Sequence, residues 1–340
     1  MDGEIMDRTA RAIVTEIRRS PHKGRPAKTI FFGGGTPTFL PIDGLLSILE
    51  AVMQTHPPAE PCEITSEANP GTVDAAKFRA MRSAGFNRIS IGAQSFRDRD
   101  LSALDRVHRA DDIVRAVKST RDAGFQNVSL DLMFALPNQS IDAWLKNLDC
   151  ATTLEPEHLS LYCLTIEPNT RFYKLQRKGM LLLPGDDAQA TMYDAAVERA
   201  ESAGLRQYEI SNFARPGFEC RHNLAYWRGE EYAAYGPGAV ERVGGVRWTH
   251  IKHPLRYCVA VERGDDLACE REALTPGMRR TESIMLRLRL NEGLPLNLAQ
   301  PDPEGLAEAK RKGWIEQSNG AVRLTREGRH FCNQAILALL

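Results

Sequence analysis

The chain has 340 residues, of which 44 are basic and 44 acidic, with 42% hydrophobic and 26% charged residues. These proportions exclude a disordered or fibrous chain and allow about two domains at roughly 150 residues each, or one large domain with a small one. A formal net charge of zero removes the global field that would draw in nucleic acid or an anionic membrane.

No apolar run is long enough to span a bilayer and no charged-then-apolar leader is visible, so a reducing cytoplasm is the expected compartment. Ala10, Ile13, Val14 and Ile17 fall at helical spacing, which predicts an amphipathic helix almost from Met1. Lys28 to Phe32 reads as a buried strand entering Gly33-Gly34-Gly35-Thr36-Pro37, and Pro41 to Gln54 has helical periodicity. Cys62 to Glu67 is the next strand. Thr72 to Ala84 is a helix with Thr72 as its N-cap and Gly85 as its stop. Strands are then expected at Asn87 to Gly92, Asn127 to Met133 and His158 to Cys163, alternating with helices at Asp111 to Ala123, Ser140 to Thr153 and Asp186 to Ala203.

Five strands joined by helices imply parallel pairing with helical crossovers, hence a barrel, a part-barrel or a doubly wound sheet. Past Gln207 the pattern gives way to aromatic-rich stretches, Tyr226-Trp227 and Tyr232 to Tyr235, with a hairpin at Gly244-Gly245. Pro276 to Leu288 reads as a helix. Leu306 to Lys312, a two-stranded wing turning at Asn319-Gly320, and a last helix from Arg326 complete a module similar to a winged helix. The expected division is 1–206, 207–274 and 275–340, and the basic excess in the last part is too slight for DNA.

The chemistry gathers at strand ends. Glu67 ends the second strand, Gln94 follows the third, Asp131 lies inside the fourth and Thr165 closes the fifth. In a parallel β/α sheet the carboxyl ends open on one face, where ligands bind, so these groups are expected to converge. Asp131, flanked by Leu130, Leu132, Met133 and Phe134, is costly to bury without a hydrogen-bond partner. A ribose diol is one such partner; a cap on a neighbouring loop is the other. The glycine run admits a polar ligand close to the backbone, or serves only a tight turn.

Arg88-Ile89-Ser90-Ile91-Gly92-Ala93-Gln94-Ser95-Phe96, Leu104-Asp105-Arg106-Val107-His108-Arg109 and Ser129 to Pro137, in that order, resemble the radical S-adenosylmethionine proteins related to oxygen-independent coproporphyrinogen oxidase. Within them the chain is most similar to the heme-chaperone branch, HemW, over nearly its whole length. The resemblance implies a partial parallel (β/α) barrel lacking its first strand, then a mixed region and the small C-terminal domain. It implies that Gly34, Gly35 and Thr36 cradle the methionine end of S-adenosylmethionine, that Glu67 and Gln94 bind it next, and that Arg106 pairs with its carboxylate. Asp131 would hold its ribose and Thr165 would lie near its adenine. The relatives also carry a C-x-x-x-C-x-x-C loop for a [4Fe–4S] cluster. Here Cys62, Cys150, Cys163, Cys220, Cys258, Cys269 and Cys332 are scattered and make no such triplet. A missing strand and cluster loop upstream, or a scaffold that has lost its radical chemistry, are the two explanations; the first would leave the Lys28 to Phe32 strand with an open edge.

His222-Asn223-Leu224-Ala225-Tyr226-Trp227 matches the H-N-x-x-Y-W signature of the heme-chaperone branch. That implies His222 as a metal ligand to heme, with hemoproteins as acceptors; a histidine held at a loop start beside core aromatics is the alternative reading. Cys220 with His222 lacks the second ligand pair of a structural zinc site. His250 and His253 are expected at the surface. Heme transfer is the leading function; anaerobic decarboxylation of coproporphyrinogen III and a non-catalytic binding scaffold are the alternatives, and peripheral membrane association is left open.

Overall fold

The computed structural model describes residues 3–340 and divides into two compact units, one formed by residues up to 64 with 221–340, the other by residues 65–220. The elements up to residue 214 are α1 (Gly3–Arg18), β1 (Ala27–Phe32), α2 (Ile42–Thr55), β2 (Pro58–Ala68), α3 (Ala75–Ala84), β3 (Arg88–Gln94), α4 (Asp98–Ala103), α5 (Ala110–Asp122), β4 (Val128–Phe134), α6 (Ile141–Thr153), β5 (His158–Cys163), α7 (Arg171–Arg177), α8 (Asp186–Ser202), β6 (Arg206–Gln207) and β7 (Asn212–Ala214). The strands form one open, curled seven-stranded sheet, a half-barrel, in the order β1-β2-β3-β4-β5-β7-β6. Strand β2 runs through the boundary between the units. From β2 to β5 the pairing is parallel. At β7 it turns antiparallel, which is where the repeating β/α pattern breaks in the sequence.

In the second unit strand alternation sorts the sheet into two faces. Ile89, Ile91, Val128, Leu130, Leu132, Leu159 and Leu161 point to the helix side and are buried. Buried on the helices are Phe78 and Met81 of α3, Ile113 and Val117 of α5, Trp144 and Leu148 of α6, and Ala196 and Val197 of α8. Burial of each such side chain contributes about 1.5–3 kcal/mol, so this face holds the sheet in place. Trp144 also donates its indole N–H to the Met192 carbonyl at 2.9 Å.

The helix after β2 starts later than the sequence suggests. Asp74, not Thr72, caps α3 by accepting from the Lys77 N–H at 2.7 Å. Thr72 sits in a single 3-10 turn, its hydroxyl donating to the Asn69 carbonyl. Gly85 ends α3 at φ 114, a left-handed conformation that suits glycine.

The first unit continues with α9 (Arg221–Trp227), β8 (Val240–Val243), β9 (Val246–His250), α10 (Pro254–Arg263), β10 (Ala268–Ala273), α11 (Pro276–Arg287), β11 (Leu294–Pro295), α12 (Pro303–Arg311), β12 (Ile315–Ser318), β13 (Ala321–Leu324) and α13 (Cys332–Leu339). Its core joins Ala10 and Ile17 of α1 to Ile48 and Ala51 of α2, with Phe32 of β1 against them. Gly244-Gly245 makes the β8–β9 hairpin with both residues at positive φ. The C-terminal module holds a three-stranded sheet, β11-β13-β12, between helices. Its last α-helix starts at Cys332, after a 3-10 turn at Glu327–Arg329, rather than at Arg326.

His250 is buried, not at the surface. It packs against Glu16 of α1, its Nδ1 3.1 Å from a carboxylate oxygen. The reason is long-range: the partner lies on an element far away in sequence, and nothing within β9 announces it.

Candidate functional site

The other face of the half-barrel is polar. Register places Glu67, Ser90, Ser129 and His158 in one row across β2, β3, β4 and β5, and Asp131 beside Ser160 in the next row. Two residues before Ser90, Arg88 shares this face and is 2% exposed. Buried polar groups must find partners, and these do. Ser90 Oγ lies 3.1 Å from each oxygen of Asp131, and Ser129 Oγ is 3.4 Å from one of them. Ser129 Oγ is also 2.8 Å from His158 Nδ1, whose Nε2 lies 2.9 Å from the Tyr208 hydroxyl.

Burial raises the Asp131 carboxyl above the usual carboxylate range, while hydrogen bonds from Ser160, Ser90 and Ser129 and the Arg88 charge pull it back. Burial, then the same Arg88 charge, drives His158 well below the ordinary imidazole value, so it is neutral. The floor of the half-barrel therefore holds two acids, Glu67 and Asp131, one fixed cation, hydroxyls and a neutral imidazole. Such a floor accepts and donates hydrogen bonds to a neutral hydroxylated ligand.

Gln94 ends β3 at φ 62, after a register break between Ile91 and Gln94. A Cβ built at Gly92 would lie 3.0 Å from Gln94 Nε2, so the glycine leaves room for that amide on the polar face. The following turn is clamped. Asn147 of α6 accepts from the Phe96 N–H at 2.5 Å, and Ser95 donates to Asp100 at 2.8 Å.

Arg106 lies in an exposed loop after α4, tied by its N–H to the Leu101 carbonyl. Its neighbours Val107 and His108 come within about 4 Å of the position a Cβ would take at Gly71, in the turn after β2. Arg171 of α7 pairs with Asp105 at 2.5 Å, joining this loop to the segment after β5. Thr165 is exposed two residues beyond β5. Gln94 ends β3 and Thr165 lies just beyond β5, Glu67 stands one residue before the end of β2, Asp131 lies one row nearer the carboxyl edge than Glu67, and the Arg106 loop meets the turn after β2.

In the first unit, Gly34 and Gly35 follow β1 at φ 79 and 84, where only glycine is at ease, and no atom crowds either. Thr36 precedes a 3-10 turn in extended conformation. His222 sits in α9 with its ring stacked on Phe31 of β1, centroids 4.8 Å apart and planes 9° from parallel. Its Nδ1 lies 2.8 Å from the Thr29 hydroxyl. The carboxylate of Glu63 accepts from the N–H groups of Arg221 and His222 at 2.9 and 3.0 Å. Tyr226 meets the imidazole edge-on and stands 40% exposed.

Residues 1–151 match the radical-SAM superfamily model and 274–331 the HemN C-terminal domain. The heme chaperone HemW of Bacillus subtilis is 36% identical over 93% of this chain and 86% of its own length. The chain belongs to the HemW family of radical-SAM proteins. The heme chaperone HemW of Escherichia coli is 37% identical over 92% of the chain and 84% of its own length. In fold the chain is similar to the coproporphyrinogen III oxidase HemN of E. coli, with a TM-score of 0.84 over 99% of the chain and 84% of that protein at 20% identity.

The thiols present do not fit the cluster that the superfamily implies. Three thiolates must converge to bind three irons. Here Cys220, Cys258 and Cys332 are buried, Cys150, Cys163 and Cys269 exposed, and Cys62 intermediate. Among the described residues no three histidine, cysteine or acidic side chains are grouped to hold a metal. None of the described helices is long and apolar enough to cross a membrane.

Several residues of the polar floor escaped the sequence reading: Arg88, Ser90, Ser129, His158 and Ser160. Their signal was the period-two alternation itself, polar at 88 and 90, 129 and 131, 158 and 160, apolar between. Thr29 and Glu63, the partners of His222, gave no local signal.

Proposed function

We propose that this chain is a cytoplasmic heme-binding protein that passes heme to hemoproteins, with His222 as the axial ligand. The observation that carries the reading is the hold on His222: Thr29 at Nδ1, Phe31 beneath the ring and Glu63 on the helix start. An imidazole whose Nδ1 is engaged presents Nε2 to a metal in a fixed orientation. Burial, with Tyr232 next to it, pushes the Tyr226 phenol up to about 12. The names of the relatives, heme chaperones, support heme as the ligand.

Glu67, Gln94, Arg106, Asp131 and Thr165 are assigned to S-adenosylmethionine, with Gly34, Gly35 and Thr36 at its methionine end, as the family resemblance implies. The chemistry of the groups supports this. A carboxylate accepts from a vicinal diol, and a guanidinium suits a carboxylate.

The test is a heme titration of the parent chain and of His222→Ala. The parent is expected to shift the Soret band on saturation, and the variant to bind at least about tenfold more weakly with an altered band, as loss of a metal ligand requires. An identical band and affinity in the variant would remove His222 as ligand.

A further inference from the structure

The His222 imidazole is held at one edge and on one face, and both holds come from a single strand. Thr29 and Phe31 lie two residues apart on β1, so their side chains share one side of it, while Ile30 between them is buried on the other. On that other side Phe32 packs into the core of α1 and α2, which fixes the strand. Thr29 Oγ lies 2.8 Å from His222 Nδ1, and the Phe31 ring is stacked on the imidazole with planes 9° apart. Tyr226 meets the same ring edge-on, planes 87° apart.

These contacts do different things. A half-turn of the imidazole about its bond to Cβ puts Cδ2 where Nδ1 stood and carries Nε2 to the opposite edge. The Phe31 face and the Tyr226 edge pack equally well against either orientation. Only the Thr29 hydroxyl tells a ring nitrogen from a ring carbon, because only the nitrogen hydrogen-bonds. The Glu63 carboxylate accepts from the backbone N–H groups of Arg221 and His222, so it holds the start of α9 and the hydroxyl holds the ring.

A hydroxyl both donates and accepts, and the imidazole decides which. A nitrogen that binds a metal is bare, so with Nε2 on the metal the proton sits on Nδ1 and the hydroxyl accepts it. Resting on His222 as the heme ligand, we propose that Thr29 is its positioning residue: the hydroxyl accepts from Nδ1–H and thereby selects the ring orientation and tautomer in which Nε2 meets the iron. Such a bond also makes the ligating nitrogen more basic, which strengthens its bond to the metal.

Thr29→Val keeps the shape of the side chain without its hydroxyl, and Thr29→Ser keeps the hydroxyl. The full chain and both variants are titrated with hemin, followed by Soret absorbance, and the reduced complexes are compared by resonance Raman for the iron–histidine stretch. Thr29→Val is expected to bind hemin about tenfold more weakly, as loss of a hydrogen-bond partner to a ligating histidine does, and to lower the stretching frequency. Thr29→Ser is expected to restore both. Parent affinity and frequency in Thr29→Val, with the band lost in His222→Ala, overturn Thr29 and leave His222 as ligand. Equal losses in the valine and serine variants overturn the hydroxyl as the acting group. A band retained in His222→Ala overturns both assignments.

Discussion

Asp131 is a buried acid whose surroundings only partly offset the loss of water. Burial raises its carboxyl, and Ser160, Arg88, Ser90 and Ser129 lower it by less. An acid whose pKa is higher folded than unfolded adds no penalty below the unfolded value of about 3.9 and its full penalty above the folded one. Asp131→Asn is therefore expected to unfold at a higher denaturant midpoint than the parent near neutral pH, the gap closing as the pH is lowered. The same change is expected to weaken S-adenosylmethionine binding about 10–100-fold, as loss of hydrogen bonds to a charged group would. Urea titrations and equilibrium dialysis check the two effects, and a less stable variant would show that the carboxylate is net stabilising. Asp131 was legible in sequence because four apolar neighbours surround it. His222 was legible as a motif, but its hold by Thr29, 193 residues away, was not, since local pattern carries no information about such pairs.

At the scale of elements, α1 is fastened through one buried acid. Glu16 accepts from the Gly236 N–H at 2.8 Å and the Tyr257 hydroxyl at 2.5 Å, and lies 3.1 Å from His250. Removing one partner of such a cluster leaves buried polar groups exposed to an apolar interior and costs about 3–5 kcal/mol. Glu16→Ala is expected to lose that much in a denaturant titration. Burial lowers the His250 pKa, yet the hydrogen bond and charge of Glu16, then Glu241, outweigh it and leave it raised. Stability from protonated His250 is thus present below the unfolded value of about 6.5 and lost as pH rises through the raised folded value. Glu16→Ala is expected to flatten this part of the pH–stability curve, and a curve of unchanged slope would assign the titration elsewhere. The elements of the half-barrel were readable because long periodic helices and buried strands carry strong patterns. The short helix α9 was not read, since seven residues span too few turns to show a period.

The whole molecule joins a radical-SAM scaffold to thiols that do not converge. Anaerobic reconstitution of this chain with iron and sulfide is expected to give no broad sulfur-to-iron absorption, because no three described ligands are grouped for a metal; a full cluster spectrum would overturn that expectation. The fold class was visible from the repeat of strand and helix. The two compact units were not: residues up to 64 and residues 221–340 join into one of them only because distant segments pack, and no composition shift marks the cut inside β2.

Gly92 gives experimenters an unusual handle. Its backbone is one that any residue adopts, since it is not among the positive-φ positions, yet a methyl there would press on the tip of the Gln94 side chain. Gly92→Ala therefore shifts an amide sideways without deleting it or breaking the strand. Position 92 thereby separates where that group stands from whether it is present, a distinction that no replacement at 94 itself can draw.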